Sequence, residues 1–436
     1  MVETVQRPVG GQQGLGRVFG GSALQTIAFP LGGIGTGTVS LGGRGNLQDW
    51  EIFNRPAKGW GLPCTFFAGW ARARGATAVA RVLERSLLPP YVEARGLRPV
   101  RTAGLPRLRD ARFIGGYPIA NIDFSDADYP LQVSLEAFNP MVPLDSQTSG
   151  LPAAIFIWHL RNPGPKTIDT TVVFSMANAA GHDGLTSLEH EEDAIWLQPS
   201  GLAFGGNINQ WIDDGVVRGL LLSGTKVPAS ALGAGTLAVA TPWPETTFLE
   251  HWERAGWYDP LENFWEDFRT DGRLPNESTA EPSPHGRSDI GSLGLCATIE
   301  PGEAVSLPFV VAWHFPNLTN YWDAGSPALN ARLGNWYATQ YPDAWSVASD
   351  VVERLDELTE RTRAFRDSLF SSTLPESVLD AVSSQMSIAR TATCLRTRSR
   401  RRWSEPSAHD GRCTDPDRNS TSRSIRRLGD GCRSTA

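Results

Sequence analysis

Apolar and polar residues alternate over Leu131-Gln132-Val133-Ser134-Leu135-Glu136-Ala137. A period of two places one set of side chains against a core and the other toward solvent, so a half-buried strand is predicted. Ala154-Ile155-Phe156-Ile157-Trp158-His159-Leu160 is a second strand with almost no polar relief, and Asn162-Pro163-Gly164 ends it as a turn. Thr170-Thr171-Val172-Val173-Phe174-Ser175 reads as the returning strand, and Val216-Val217, Thr236–Ala240 and Val305–Trp313 continue the series. Many short strands separated by Gly and Pro turns predict a mainly β chain, a large antiparallel β-sandwich over residues 1–330. One helical insertion is expected at Leu261–Phe268, and the Pro-, Ser- and Gly-rich stretch from Arg273 to Gly291 reads as a loop.

The period changes after Asn335. Ala348, Val351, Val352, Leu355, Leu358, Thr362, Phe365 and Leu369 step by threes and fours, with Asp350, Glu353, Arg354, Asp356, Glu357 and Glu360 between them. This predicts one long amphipathic helix over 344–370. Leu374-Pro375 interrupts it, Pro375 suits the first turn of a new helix, and Val378, Leu379, Val382, Met386 and Ala389 mark that helix's apolar face. Two helices do not make a core, so residues 331–397 read as a linker and the first helices of a truncated helical domain, with apolar faces left exposed. From Arg398 to Ala436 the chain carries ten arginines against five acids, with Ile425 and Leu428 as its only aliphatic side chains beyond alanine. Such a composition buries too little surface to offset chain entropy, so residues 398–436 are expected to be disordered. A frame-shifted translation of a GC-rich gene would have the same composition.

Composition excludes several classes. The net charge of -7 gives no general reason to expect nucleic acid as a partner. Cys64, Cys296, Cys394, Cys413 and Cys432 are scattered, with neither Cys-x-x-Cys nor His-x-x-x-His spacing, so no metal and no disulfide framework are expected. No cofactor is implied. The polar N-terminus has no apolar core of a signal peptide, and no run of about eighteen apolar residues suggests a transmembrane segment. A cytoplasmic location follows as the expectation.

The glycine-rich stretch Pro30-Leu31-Gly32-Gly33-Ile34-Gly35-Thr36-Gly37 invites a phosphate-binding reading. Its spacing argues against one. A dinucleotide loop needs glycines at i, i+2 and i+5, but Thr38 and Ser40 occupy the third place for Gly33 and Gly35 respectively. No Gly-Lys-Ser/Thr triplet is present for a P-loop. The alternating Thr38-Val39-Ser40-Leu41 instead predicts a strand entering a hairpin turn at Gly42-Gly43-Arg44-Gly45.

Tempting carboxylates remain. Asp49 and Glu51 flank Trp50 at i, i+2 and would share one face of a strand. Asp126 and Asp128 lie beside Tyr129, while Glu253, Glu266 and Asp267 lie among Trp252, Trp257 and Trp265. Any such pair could be offered as a general acid and base, but solvated or salt-bridged faces are the expected reading. His159 and His314 sit within apolar strands and are expected to be core or edge residues rather than ligands. The fifteen tryptophans are expected to serve mainly packing. No catalytic, cofactor-binding or metal-binding residue is assigned.

Several of these segments, taken in order, resemble the non-lysosomal glucosylceramidase and β-glucosidase family, glycoside hydrolase family 116. They are Pro30–Gly37 with Arg44-Gly45 and Asp49–Phe53, then Asn139–Leu144 and Ser149–Pro152. Trp313–Pro316, Asn335–Thr339 with Pro342–Trp345, Ser372–Pro375 and Thr393–Thr397 complete the series. The resemblance implies an N-terminal β-sandwich followed by an (α/α)6 barrel. It implies a retaining β-glucosidase site in that barrel, with a Glu nucleophile and an Asp acid/base about 5–5.5 Å apart. Both family carboxylates fall beyond the position of Thr397, after which this sequence departs abruptly from the family pattern. The chain is therefore expected to be an accessory domain, inactive alone, whose partners are its own helical catalytic domain and a β-glucoside or glucosylceramide substrate. A stand-alone carbohydrate-binding or interaction module, and an independent enzyme with a site in the sandwich, remain open alternatives.

Overall fold

The computed structural model describes residues 16–87, 104–184, 205–254, 260–279 and 281–398. Residues 1–15, Trp257, Cys413, Cys432 and the Arg-rich tail from Ser399 lie outside them. The strands are β1 (Arg17–Phe19), β2 (Ala28–Leu31), β3 (Thr38–Gly42), β4 (Leu47–Glu51), β5 (Phe66–Ala73), β6 (Val79–Arg85), β7 (Arg107–Leu108), β8 (Asp110–Gly116) and β9 (Ile119–Ser125). Then come β10 (Gln132–Phe138), β11 (Ala153–Arg161), β12 (Ile168–Ala177), β13 (Asn207–Asp213), β14 (Arg218–Gly224), β15 (Thr236–Thr241), β16 (Thr246–Leu249), β17 (Ile290–Ile299) and β18 (Ala304–His314). The α-helices are α1 (Pro260–Asp271), α2 (Ala344–Glu353), α3 (Leu355–Phe370) and α4 (Glu376–Met386), the last followed by a short 3-10 turn at Ser387–Arg390.

One sheet has nine strands in the order β1-β8-β9-β10-β11-β18-β15-β14-β13 and a second has six, β16-β17-β12-β5-β6-β7. The strand pairs are antiparallel except β6 with β7. A three-stranded sheet, β2-β3-β4, carries the glycine-rich stretch. The main core lies between the two large sheets. Phe67 of β5 is at its centre, stacked 4.3 Å from Phe174 and 5.3 Å from each of Phe156, Trp158 and Phe309.

The missing polar relief in β11 has a physical cause. Ala154, Phe156, Trp158 and Leu160 enter the inter-sheet core, while Ala153, Ile155 and Ile157 of the opposite face join a second cluster. That cluster is closed by Ala344, Val347, Ala348, Val351 and Val352 of α2 and by Leu355 and Leu358 of α3. The nine-stranded sheet is therefore buried on both faces. The six-stranded sheet is covered likewise by α1, whose Leu261, Phe264, Trp265 and Phe268 pack on Phe66, Ala68 and Trp70.

Four expectations are corrected. Val216 and Val217 form a turn rather than a strand, because the Asp214 carboxylate accepts from both of their N–H groups at 2.9 and 2.7 Å. The predicted helix over 344–370 is two helices. Arg354 leaves helical geometry (φ -107°, ψ 14°), letting α2 stay on the sheet while α3 turns toward β9 and β10. There Arg363 grips Glu136 of β10 with contacts of 3.1 Å from Nε and 2.6 Å from Nη2. The apolar face of 344–370 is also not exposed, since the outer face of the large sheet covers it. The expectation of an exposed face holds only further on. Leu374, Val378, Val382 and Ile388 are exposed by 39–54 %, and Ala381, Val382, Gln385 and Met386 line a shallow hollow on α4. Pro375 stands just before the first residue of α4 rather than within its first turn.

Candidate functional site

The glycine-rich stretch forms the connection from β2 to β3. Gly32, Gly35 and Gly37 have φ of 146°, 74° and 86°, which favour glycine. Close backbone approach adds a second requirement: a Cβ on Gly33 would lie 2.4 Å from the Leu151 carbonyl oxygen, and one on Gly37 would lie 2.7 Å from that of Glu51. The partners of this loop are protein. Ile34 N–H donates to Ser149 O (2.8 Å), and the Trp313 indole N–H donates to Thr36 O (2.7 Å). The predicted hairpin is present as β3 and β4 around Gly42–Gly45.

Distant segments of the chain meet at this end of the sandwich. Asn54 and Asn335 both donate to Phe315 O, at 2.9 and 2.8 Å, and the Tyr337 hydroxyl accepts from Phe315 N–H at 2.9 Å. Burial pushes the Tyr337 hydroxyl pKa well up, so it stays protonated. The chain leaving the helices returns to the same place. Arg396 N–H reaches Gly35 O (3.4 Å), Trp336 N–H donates to Arg396 O (2.8 Å), and Asn335 pairs with Thr397 as an isolated bridge. The Arg396 guanidinium stacks 3.2 Å from the centre of the Trp336 ring, and its Nη1 donates to Ser146 O (3.2 Å). Arg390 binds the carbonyls of Asn139 and Pro140, at 3.2 and 2.9 Å. Blocks from residues 30–37, 139–152, 313–316, 335–339 and 390–397 thus form one junction.

The carboxylates of the sequence reading have structural partners. Asp49 and Glu51 do share one face, both are buried, and Lys58 bridges them at 3.6 and 2.9 Å. Asp49 Oδ1 accepts from Gly59 N–H (2.7 Å), and Glu51 Oε1 accepts from Ala57 N–H (3.0 Å). The pair therefore folds the 54–60 loop back onto β4. Asp49 has a φ of 52°, and the pairing of β3 with β4 shifts register at this place. Asp126 accepts from Arg81 at 3.0 Å, and Asp128 lies exposed 3.4 Å from Arg109. Glu253 accepts from Asn263 (2.7 Å), and Glu266 pairs with Arg269. Burial, with Asp271 nearby, raises the pKa of Asp267. These three acids are not gathered into one cleft: Trp252 and Trp265 beside them are core residues, Trp252 stacking 4.3 Å from Phe264.

His159 bonds Ser306 Oγ through Nδ1 (2.8 Å), and His314 bonds Tyr341 O through Nε2 (3.0 Å). Both therefore have protein partners, and burial lowers both pKa values. Among the described residues no group of three His, Cys, Asp or Glu side chains could hold a metal ion. No described helix is long and apolar enough to cross a membrane.

Sequence reasoning missed three residues. Lys58 could not be paired with Glu51 before the loop was known. His182 is fully buried, 4.6 Å from Phe53 ring to ring, with neither ring nitrogen bonded; burial lowers its pKa to about 4 against the opposing pull of Asp183. Arg390 lies at the end of an apolar helical pattern, where a cation reads as a solvated C-terminal residue.

The sequence matches, over residues 28–358, the family model described as beta-glucosidase 2, glycosyl-hydrolase family 116 N-term. The chain belongs to this family. In this family 116 N-terminal domain, residues 30–37, 139–152, 313–316 and 335–339 of the junction all fall inside the matched range. Among solved structures, it is similar to a protein described as a kojibiose phosphorylase, from the human microbiome, with a TM-score of 0.34 and 10% identity over 83% of this chain. A polysaccharide lyase is similar with a TM-score of 0.24 and 12% identity over 67% of this chain. The chain spans 38% and 34% of the length of those two proteins.

Proposed function

We propose that this chain is the accessory domain of a retaining β-glucosidase, acting on β-glucosides or glucosylceramide, and that the sandwich itself carries out no hydrolysis. The observation that supports this reading is the junction. The glycine loop, the Asn54/Asn335 pair and Trp313 are used to seat the chain that returns from α4, and not to surround an open cleft. A retaining site needs two carboxyl groups flanking the bond, one of them kept protonated. The one close pair at the junction, Asp49 and Glu51, is held by Lys58 and two backbone N–H groups. The exposed apolar side of α4 fits a helical catalytic domain as its partner. A cytoplasmic location belongs to the same proposal and is supported by the scattered spacing of the five cysteines, which suggests no disulfide framework. Incubation of the purified 436-residue chain with a nitrophenyl β-glucoside tests the reading: release at the rate of the buffer blank is expected, and saturable turnover would overturn it.

One observation favours a carbohydrate-binding role beside this. Trp211 and Phe248 stack in parallel, 4.2 Å apart, and both are partly exposed where the edge strands β13 and β16 meet. Glycan-array binding that Trp211→Ala abolishes would establish that role, and an array without signal would remove it.

A further inference from the structure

Among the described residues of the junction, Arg390 is a fully buried cation with no carboxylate partner. Its exposure is 0%. Nη2 is used by Asn139 O, Pro140 O and the Met141 sulfur. Nε and Nη1 have no acceptor. Tyr117 lies beside it, the guanidinium carbon 5.3 Å from the ring centre, and the buried Tyr117 hydroxyl also lacks a partner. Tyr117 leads directly into β9, and Asn139 follows β10, its antiparallel neighbour, so the paired strand ends and the 3-10 turn bring these groups to one point. No carboxylate of the described residues pairs with Arg390, and burial lowers its pKa.

A guanidinium does not escape burial by losing its proton, because its pKa exceeds about 12. A buried cation without a counter-charge is far costlier than an unmade neutral hydrogen bond. A trapped water would serve the open donors, and it would also suit Asn139 Oδ1, which is unpartnered too. It would leave the charge where it is.

We propose that Arg390 Nε and Nη1, together with the Tyr117 hydroxyl, bind one small monovalent anion of the halide class beneath the Ser387–Arg390 turn. The donors are all N–H or O–H, the charge is single, and full burial selects an ion that sheds its hydration readily. Because Arg390 ties the turn to the ends of β9 and β10, the anion strengthens the seat of the segment that continues to Thr397. The site stands on this geometry and does not depend on the glucosidase reading.

The test uses the full chain at constant ionic strength, with sodium gluconate replaced stepwise by sodium chloride or bromide. Binding at about ten times the dissociation constant should raise Tm by about 1–2 °C. The ³⁵Cl resonance should broaden in the presence of the chain and sharpen again when bromide is added. Arg390→Met should lose both effects, and Tyr117→Phe should weaken halide binding about tenfold. If Arg390→Met fails to fold, the Tyr117→Phe titration and the wild-type bromide competition still decide. A chain whose Tm and ³⁵Cl line width are indifferent to halide, or whose response survives in either variant unchanged, would overturn the site and leave Arg390 served by water.

Discussion

Two amphipathic helices separated by little more than twenty residues meet opposite fates. α2 turns Ala344, Val347, Ala348, Val351 and Val352 onto β15, β18 and β11, and all five are buried. α4 buries Leu379 but leaves Val378 and Val382 exposed by 39 and 44 %. Their apolar patterns are alike, so pattern does not decide which helix is covered. The nine-stranded sheet has an apolar outer face that needs a cover, and α2 supplies it, capped at its start by Asp343 accepting from Ser346 N–H. α4 instead meets α3 and the edge region at β8, with Met386 packed against the main core. The contrast is that α2 forms a layer of the sandwich, while α4 rests on α3 and β8 with one apolar side open.

Substitutions can break this contrast. Val351→Asp would bury a charge between helix and sheet and should cost about 4 kcal/mol, read from a denaturant midpoint. Val382→Asp, the same change on α4, should shift the midpoint by less than about 0.5 kcal/mol and reduce self-association. Equal losses from both would erase the distinction.

A second effect sharpens the rigidity of the sandwich end. His182 is neutral in the folded chain, with a pKa of about 4 against an ordinary 6.5. Protonation therefore favours the unfolded state. The stabilisation is complete above pH 6.5 and is lost as pH falls toward 4, by about 3 kcal/mol. His182→Phe should flatten that part of a stability-pH curve, and an unchanged slope would assign it to other groups.

Smaller changes probe the loop that the junction rests on. Trp313→Phe removes the donor to the buried Thr36 carbonyl and should cost about 2 kcal/mol by thermal or chemical unfolding. Lys58→Met unbinds Asp49 and Glu51, but Lys58 is 66% exposed and its pairing is screened, so about 1 kcal/mol is expected. A larger loss on Lys58→Met than on Trp313→Phe would mean that the carboxylate pair, and not the glycine loop, holds this end together.

Much of the fold was legible because turn chemistry and alternation agree. Asn162-Pro163-Gly164 ends β11 where expected, and Gly42–Gly45 turns β3 into β4. β11 also carried an unread signal: seven residues with His159 as their one polar side chain announce a sheet covered on both sides, and hence a place for α2. The break at Arg354 was not legible, because a helical period runs unbroken across one residue of altered geometry. Val216-Val217 misled because strand-forming side chains do not reveal that Asp214 will claim their N–H groups. At the junction, the glycine spacing excluded a nucleotide loop. The pairings of Arg396 with Trp336 and of Lys58 with Glu51 depend on contacts across long sequence separations, which no local pattern encodes.

Hydrogen exchange of the full chain measures the central contrast directly. The account predicts that amides of α2 and α3 exchange as slowly as those of β11 and β18, and that amides of α4 exchange faster than both. Equal protection of α4 and α2 in the isolated chain would contradict it, since α4 would then be as much a part of the sandwich unit as α2.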